Sequence, residues 1–538
     1  MKKTYKIIAT LLMAVLALQG CVKEYTNALP GEEQPTPEQP VVEDDDMVTL
    51  LKSIQGVSDV EMKMVPFANG STIANYFFNY EQLVDQFDEK KGTFKQRIAM
   101  QLADPSAPVI VHTLGYAMTM EGKFAVEEDL KTFLNANWVE IEYRYFGSSL
   151  PEPLEDMNLT YLYSDQAAVD IHNVVTMLRE NLFKDNLWVA TGSSKGGTTT
   201  GLQAYYSDKY GWKDFNLYVP FCGPFLAGTP ESPTDRAIGS YLMTSCGFGY
   251  EESTDEAKAY VNLHKILKQC VTKPRLRNAI LRAYHLQAVN YYQDILSVYG
   301  PREDAALCGA LDLILEHLLG DFAYVPFGRW APMVPDPDPI KEGEEDETTE
   351  DNELIQNVVD FVFMDNEDIS KKLNGTQENA ETRATHTADD MYANRIIDSG
   401  MPYGPQSVRE LGCVGMDYDW VPGPFITPAL AYEVQDKASG RAFAWDFYEG
   451  QWDGGKLMTD FRKWVYTEST QRILFVYGSN DPWTGGAIDS AAAETNPNIV
   501  MVLNPGGIHE TDFLNLNSFT KESSELIQTW TKAFLGLQ

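Results

Sequence analysis

Hydrophobic positions along this chain fall into two kinds of run. Short, nearly continuous apolar stretches, "PVIVHTLGY", "WVEIEYRYF", "LWVATGSS" and "FNLYVPFCG", are separated by segments such as "SDQAAVDIHNVVTMLRENL", whose apolar residues recur at helical spacing. Strands that are apolar along their whole length are buried on both faces, which predicts a mostly parallel sheet flanked by helices. Upstream, "STIANYFFNYEQLVDQ" and "GTFKQRIAMQL" predict an antiparallel pair beside that sheet. The alternation then stops. From about Pro224 to Thr470 the pattern is mainly helical, as in "RLRNAILRAYHLQAVNYYQDIL" and "LIQNVVDFVFM", with an acidic, Pro-rich loop "VPDPDPIKEGEEDETTED" inside it. Strands resume at "RILFVYGSNDPW" and "NIVMVLNPGG", before a closing helix "SSELIQTWTKAFLGL". The expected architecture is α/β: a core over 49–223 and 471–538, and a large, mainly helical cap inserted over 224–470.

Composition adjusts this picture at the margins. A hydrophobic fraction of 44% is ample for a packed core, and a formal charge of −36 excludes a nucleic-acid partner, because phosphate would be repelled. The first residues are read as a targeting segment and not as fold. Lys2 and Lys3 precede an apolar stretch too short to span a bilayer, and it ends "LALQGC". That ending is expected to be a lipoprotein signal, residues 1–21, with Cys21 lipidated and the membrane reached through that anchor only. Residues 22–48 read as an acidic, Pro-rich tether, which places the folded part outside the cytoplasm of a bacterium. Cys222, Cys246, Cys270, Cys308 and Cys413 are an odd set without C-x-x-C spacing, so no zinc site is expected.

The chemistry concentrates in "LWVATGSSKGGTTTGLQAYY". Gly192-Ser193-Ser194-Lys195-Gly196 matches G-x-S-x-G, set between a predicted strand and a predicted helix. That context is a nucleophile elbow: the strand turns sharply, the Ser takes strained dihedrals, and only glycines fit around it. A hydroxyl is a weak nucleophile without a base and a carboxylate to orient that base. Asp481 follows one late strand and His509 the next, in the order Ser, Asp, His that this elbow requires. Ser194, Asp481 and His509 are therefore the expected catalytic triad, and Ser193 falls outside the motif's centre. The oxyanion hole is expected from the N–H of Lys195 and from Gly115 or Tyr116 in "HTLGYAM". Asp165 reads as a helix N-cap, and His112 as a residue satisfied within its strand.

At these residues the chain resembles the bacterial secreted tripeptidyl aminopeptidases, serine peptidases distantly akin to prolylcarboxypeptidase. The likeness is carried by "GTFKQRIAMQ", "TLGY", "EYRYFGSSLPEP", "ATGSSKGGTTT", "VYGSNDPW" and "PGGIH", in the family's order and from about Tyr76 onward. It implies an α/β-hydrolase core with an inserted helical cap and release of short peptides from free amino termini, without a cofactor or metal. Ser194, Asp481 and His509 fall on the family's catalytic positions. The chain departs from the pattern at Asp85-Gln86, where Asp-His is usual, and at Tyr143, where a His is common.

An exopeptidase must favour a free ammonium, and buried carboxylates do so by charge-assisted hydrogen bonds. Glu142, just before "YRYFG", and Glu410, in "SVRELG", are the candidates for the substrate amine, with an ion pair of Glu142 to Arg144 as the structural alternative. The competing functions are an esterase or lipase using the same triad, and a catalytically idle, peptide-binding lipoprotein. A metal hydrolase lacks support in any clustering of His and carboxylates. The signal reading predicts that Cys21→Ser abolishes partitioning into the membrane fraction while peptidase activity is kept. Equal membrane association of the two proteins refutes it.

Overall fold

The apolar runs become the strands of one nine-stranded sheet. In the computed structural model the described residues are 46–225 (apart from 121, 123 and 153–158), 254–343 (apart from 288 and 326), 349–364, 403–411 and 453–537, with short pieces between 234 and 434. The leader, Cys21 and the tether up to residue 45 lie outside them. The strands are β1 Val57–Pro66, β2 Thr72–Leu83, β3 Thr93–Gln101, β4 Val109–Thr113, β5 Asn137–Ile141, β6 Trp188–Ser193, β7 Leu217–Phe221, β8 Ile473–Gly478 and β9 Ile499–Asn504. Their order across the sheet is β1-β2-β3-β5-β4-β6-β7-β8-β9. The β1–β2, β2–β3 and β3–β5 pairs are antiparallel, and every pair from β5 to β9 is parallel. The antiparallel β2–β3 pair lies where its sequence pattern predicts. Helix α1, Asp46–Ser53, and β1 precede it, so the last three residues expected of the tether, 46–48, are helical instead, with Val48 and Leu51 buried.

Why the central strands are apolar throughout is visible in where alternate residues go. Val109, Val111, Ala190, Tyr218, Phe475 and Tyr477 face one layer, with helices α3 Ser164–Asn181 and α4 Lys195–Tyr210. Ile110, Val189, Leu217, Val219, Leu474 and Val476 face the other, with α2 Asp129–Leu134 and the closing helix. Each face removes its own side chains from water, roughly 1.5–3 kcal/mol for each large one. Arg144 joins the layers at the antiparallel end: it is fully buried, pairs at 2.7 Å through both Nε and Nη2 with Asp170 on α3, and donates to the carbonyls of Val84 and Tyr161. Its partner is thus Asp170 and not Glu142.

Between β7 and β8 the described chain is mainly helical, with α5 Asp255–Thr272, α6 Pro274–Gln287, α7 Val289–Tyr299, α8 Glu303–Tyr324 and α9 Thr349–Val362 beside a short parallel pair, Thr234–Asp235 with Cys413–Val414. The helical stretch from Arg275 forms parts of two helices, α6 and α7. These helices gather a core of their own around Leu263, Leu276, Ile280, Leu311, Ile314 and Val358. Helix α10, Lys456–Thr467, falls within the range expected for the insertion, yet it packs on the sheet layer instead. Its apolar face, Met458, Phe461, Trp464 and Val465, is buried, and the Phe461 ring stacks on Phe225 at 4.5 Å. The chain closes with α11, Lys521–Leu535, capped by the Thr520 hydroxyl.

This packing makes α10 part of the core. Phe461→Ala should lower the unfolding free energy by roughly 3–5 kcal/mol in urea titration. A loss below about 1 kcal/mol would mean the helix is only loosely attached.

Candidate active site

Ser194 directly follows β6 and caps α4 with φ 55° and ψ −123°, a positive φ that a side-chain-bearing residue adopts at a strain cost of about 1–3 kcal/mol. What holds it there is close backbone packing. A Cβ on Gly192 would stand 2.6 Å from the Gly196 carbonyl oxygen, and one on Gly197 2.3 Å from the Phe221 oxygen. Nothing larger than glycine lets the first turn of α4 lie so near β6 and β7. The Ser194 N–H donates to the Phe221 carbonyl at 3.0 Å, tying the turn to the end of β7. Thr113 on β4 completes the seat, its hydroxyl meeting Thr200 at 2.6 Å and donating to Thr191 O at 3.1 Å.

Asp481 and His509 come from the loops after β8 and β9, which interlock. Asn480 N donates to Gly507 O at 2.8 Å, Ser479 N to Asn504 O at 3.0 Å, and a Cβ on Gly478 would lie 2.4 Å from Gly507 O. So joined, the loops place Asp481 Oδ2 2.7 Å from His509 Nδ1, with the carboxylate fully buried and its Oδ1 accepting from Trp483 N at 2.9 Å. The imidazole lies between Trp483 (centroids 5.2 Å apart) and Tyr324 at the end of α8 (5.6 Å). Its Nε2 is buried without a hydrogen bond, so the nitrogen opposite the carboxylate is the one left for proton transfer. Ser194 and His509 are each nearly buried, at 9% and 8% exposure, on the same carboxyl edge of the sheet. Cys222, just past β7, has its sulfur within 4.8 Å of the Asp481 and His509 ligand atoms. Burial first, then the Asp481 carboxylate, push this thiol well above the ordinary range. Cys222, Cys270 and Cys308 are free thiols.

The loop after β4 that carries Gly115 and Tyr116 lies against the elbow. Gly115 packs on the elbow so closely that a Cβ there would meet Lys195 Cγ at 2.7 Å and Gly196 N at 2.9 Å. Lys195 opens α4, so its N–H belongs to the first turn, whose amides lack intrahelical acceptors. Tyr116 O accepts from Tyr143 N at 3.1 Å, which pins the loop to the residue after β5.

Both glutamates have hydrogen-bond partners within the fold. Glu142 Oε1 accepts from Met118 N at 3.0 Å, while Oε2 accepts from the N–H and hydroxyl of both Ser148 and Ser149 at 2.8–3.2 Å. Both oxygens are spent on holding two loops together, so Glu142 does not receive a substrate amine. The missing signal was the donors' location, since nothing local in "EYRYFGSS" says where Met118 lies. Glu410 caps a helix: its Oε1 accepts from Ser164 N at 2.6 Å, from the Ser164 hydroxyl at 2.7 Å and from Gln406 Nε2 at 3.1 Å. Negative charge there complements the N-terminus of α3, a role expected of Asp165. Asp165 instead lies inside the first turn, after Tyr163 at the cap position.

Reasoning from sequence also passed over the Lys195 side chain. It is buried, its Nζ donates to Gly115 O at 2.5 Å, and that nitrogen stands 3.7 Å from the Tyr143 ring centre. Phe146, Tyr116 and Tyr403 surround it at 5.2, 5.4 and 5.9 Å. Burial drives this ammonium well below the usual lysine range, with Glu410 opposing. The His112 ring faces the Glu140 carboxylate at 3.5 Å, as its strand position suggests.

A mostly parallel sheet with this strand order, and a strained serine between the central strand and its helix, defines an α/β hydrolase. Residues 41–240 match the family described as PS-10 peptidase S37. A prolyl tri/tetrapeptidyl aminopeptidase of Streptomyces mobaraensis is 24% identical over 444 residues, 81% of this chain and 76% of that protein. Together these matches support a tripeptidyl aminopeptidase family for the chain, and the enzyme is a serine peptidase. Among solved structures, homoserine O-acetyltransferase from Staphylococcus aureus aligns with a TM-score of 0.34 at 10% identity, over 88% of this chain and 95% of that one. The rice cell wall degrading esterase LipA of Xanthomonas oryzae aligns at 0.33 and 10%, over 88% and 97%.

Glu410 gives this site a pH signature. Burial, the largest effect, raises its carboxyl to about 7 against the hydrogen bonds that lower it. The folded state therefore holds a proton that the unfolded chain releases near pH 4.5, and this contribution to stability is lost as pH rises toward 7. Glu410→Gln should flatten the fall in stability between pH 4.5 and 7 by a few kcal/mol in denaturant titrations across that window. Parallel pH profiles for the two proteins would contradict it.

Proposed function

We propose that this serine peptidase releases short peptides, tripeptides foremost, from free amino termini through an acyl-enzyme on Ser194. The observation that carries the chemistry is the His509–Asp481 contact at 2.7 Å, with His509 Nε2 buried and unbonded on the edge where Ser194 sits. In this reading Nε2 takes the hydroxyl proton as Oγ attacks the scissile carbonyl carbon. The C–N bond then breaks as the same proton passes to the leaving amine. Water repeats the sequence on the ester, releasing the peptide acid and restoring Ser194. Asp481 stays ionised throughout and holds the ring in the tautomer with its proton on Nδ1. The N–H groups of Lys195 and of Gly115 or Tyr116 carry the negative oxygen.

The name of the Streptomyces relative supports an amino-terminal count of three or four residues. Tyr324, contributed by the helical insertion against His509, supports a cap that limits how much peptide enters. Glu142 and Glu410 both accept hydrogen bonds within the fold. A lipid anchor at Cys21, outside the described residues, would keep the enzyme at a membrane.

Ser194→Ala should lower kcat by roughly 10⁴–10⁶-fold, leave folding unchanged by circular dichroism, and prevent labelling by a sulfonyl fluoride. Acetylating the amine of a chromogenic tripeptide should cost on the order of 2–3 kcal/mol in kcat/KM. An active Ser194→Ala protein would refute the nucleophile. Equal rates on free and acetylated peptides would make the enzyme an endopeptidase.

A further inference from the structure

Lys195 is the residue that the triad leaves unexplained. A buried amine is expensive: removing it from water costs several kcal/mol unless partners replace the lost hydration. A methionine or leucine would fill the same volume without that cost. The compensation present here is specific. The ammonium faces the Tyr143 ring at 3.7 Å, with Phe146, Tyr116 and Tyr403 around it, and donates to one protein carbonyl, that of Gly115. Glu410, which caps α3, adds a favourable field from the far side of Tyr143, with Gln406 donating to the Tyr143 hydroxyl at 2.8 Å.

Gly115 is also where the loop after β4 touches the elbow, within 2.9 Å of Gly196 N for a Cβ built there. The other fixed points of this loop are Tyr116 O, bound by Tyr143 N, Met118 N, bound by Glu142, and the N–H groups of Thr119 and Met120, bound by Glu140. All of these partners come from β5 or the residues just past it. Only the Lys195 amine, among these ties, links the loop to the helix that carries the nucleophile.

We propose that Lys195 is a positioning residue for oxyanion stabilisation. Its backbone N–H is one donor of the hole, and its side chain fastens the Gly115–Tyr116 loop that supplies the other. One residue thereby fixes the spacing between the two donors. The inference rests on the acyl-enzyme reading given above. A developing oxyanion needs donors within about 2.7–3.1 Å of where it forms, so a loop free to drift by a few tenths of an ångström loses part of the stabilisation without loss of substrate binding. Neutral or protonated, the amine keeps an N–H for the Gly115 carbonyl, so the clamp holds in both states.

The test is Lys195→Met, which keeps the apolar stem and removes the donor. Four quantities are compared with the natural enzyme: kcat, KM, the Ki of a peptidyl aldehyde, whose adduct with Ser194 places an oxyanion in the hole, and the Ki of the free product peptide. The expected result is a fall in kcat of roughly 30-fold or more with a matching rise in the aldehyde Ki, while KM and the product Ki stay within about twofold. Unchanged aldehyde affinity beside a reduced kcat would overturn the proposal, as would equal losses in all four quantities, which mark a general structural role. Should Lys195→Met fail to fold, Tyr143→Leu removes the ring beneath the amine and should give the same split at roughly 10-fold, with the same results overturning it. An active Ser194→Ala protein would instead remove the acyl-enzyme reading itself, an outcome that the Lys195 measurements cannot mimic.

Discussion

The site depends on one steric constraint: the first turn of α4 must touch the ends of β6 and β7 backbone to backbone. Gly192 and Gly197 allow that contact, and Gly223 answers from the other side, with a Cβ there 2.7 Å from the carbonyl carbon of Gly197. Because the contact is backbone on backbone, it cannot relax by a rotamer change. The strain at Ser194 is therefore held by the whole helix–strand interface, with Thr200, Leu202 and Ala204 of α4 buried behind it. A hydroxyl at the tip of such a turn has few conformations to lose before reaction, which is the entropic part of its preparation.

Around this contact the carboxylates do mostly structural work. Glu140 and Glu142 lie two apart, on and just past β5, and both face the loop after β4: Glu140 accepts from Thr119 N, Met120 N and the Thr119 hydroxyl, and Glu142 from Met118 N. The loop's apolar residues Leu114 and Met120 are buried, and charge-assisted hydrogen bonds to a strand fix its backbone beside them. The same device recurs at Glu410, where a segment distant in sequence is pinned to the start of α3.

The sequence announced what is local or periodic. The elbow was legible because its glycines, strand and helix are contiguous, and Asp481 and His509 because chain order and strand ends place them. Apolar runs gave the central strands, since a strand buried on both faces has no polar positions to interrupt it. What escaped was decided by contacts between distant segments. The ends of Glu142 and Glu410 depend on donors at Met118 and Ser164. The amphipathic helix α10 carries a pattern that fits any apolar surface, and only Phe225 and Tyr205 say which one it meets. Lys195 was read for its backbone alone, because an exposed lysine and a buried one look the same in a string of letters.

The interruption between β7 and β8 also orders events in time. Synthesis runs from the amino terminus, so the seven strands through Phe221 can assemble before the partner of β7 exists. Until Ile473–Gly478 arrives, Leu217–Phe221 is an open edge of wholly apolar residues, ready to pair with any extended chain it meets. The nucleophile is made early, whereas the acid and base come after the insertion, so a nascent or truncated chain carries Ser194 without the His509 that activates it. On the chemistry proposed above, activity requires the last two strands to dock, because only then do Asp481 and His509 meet.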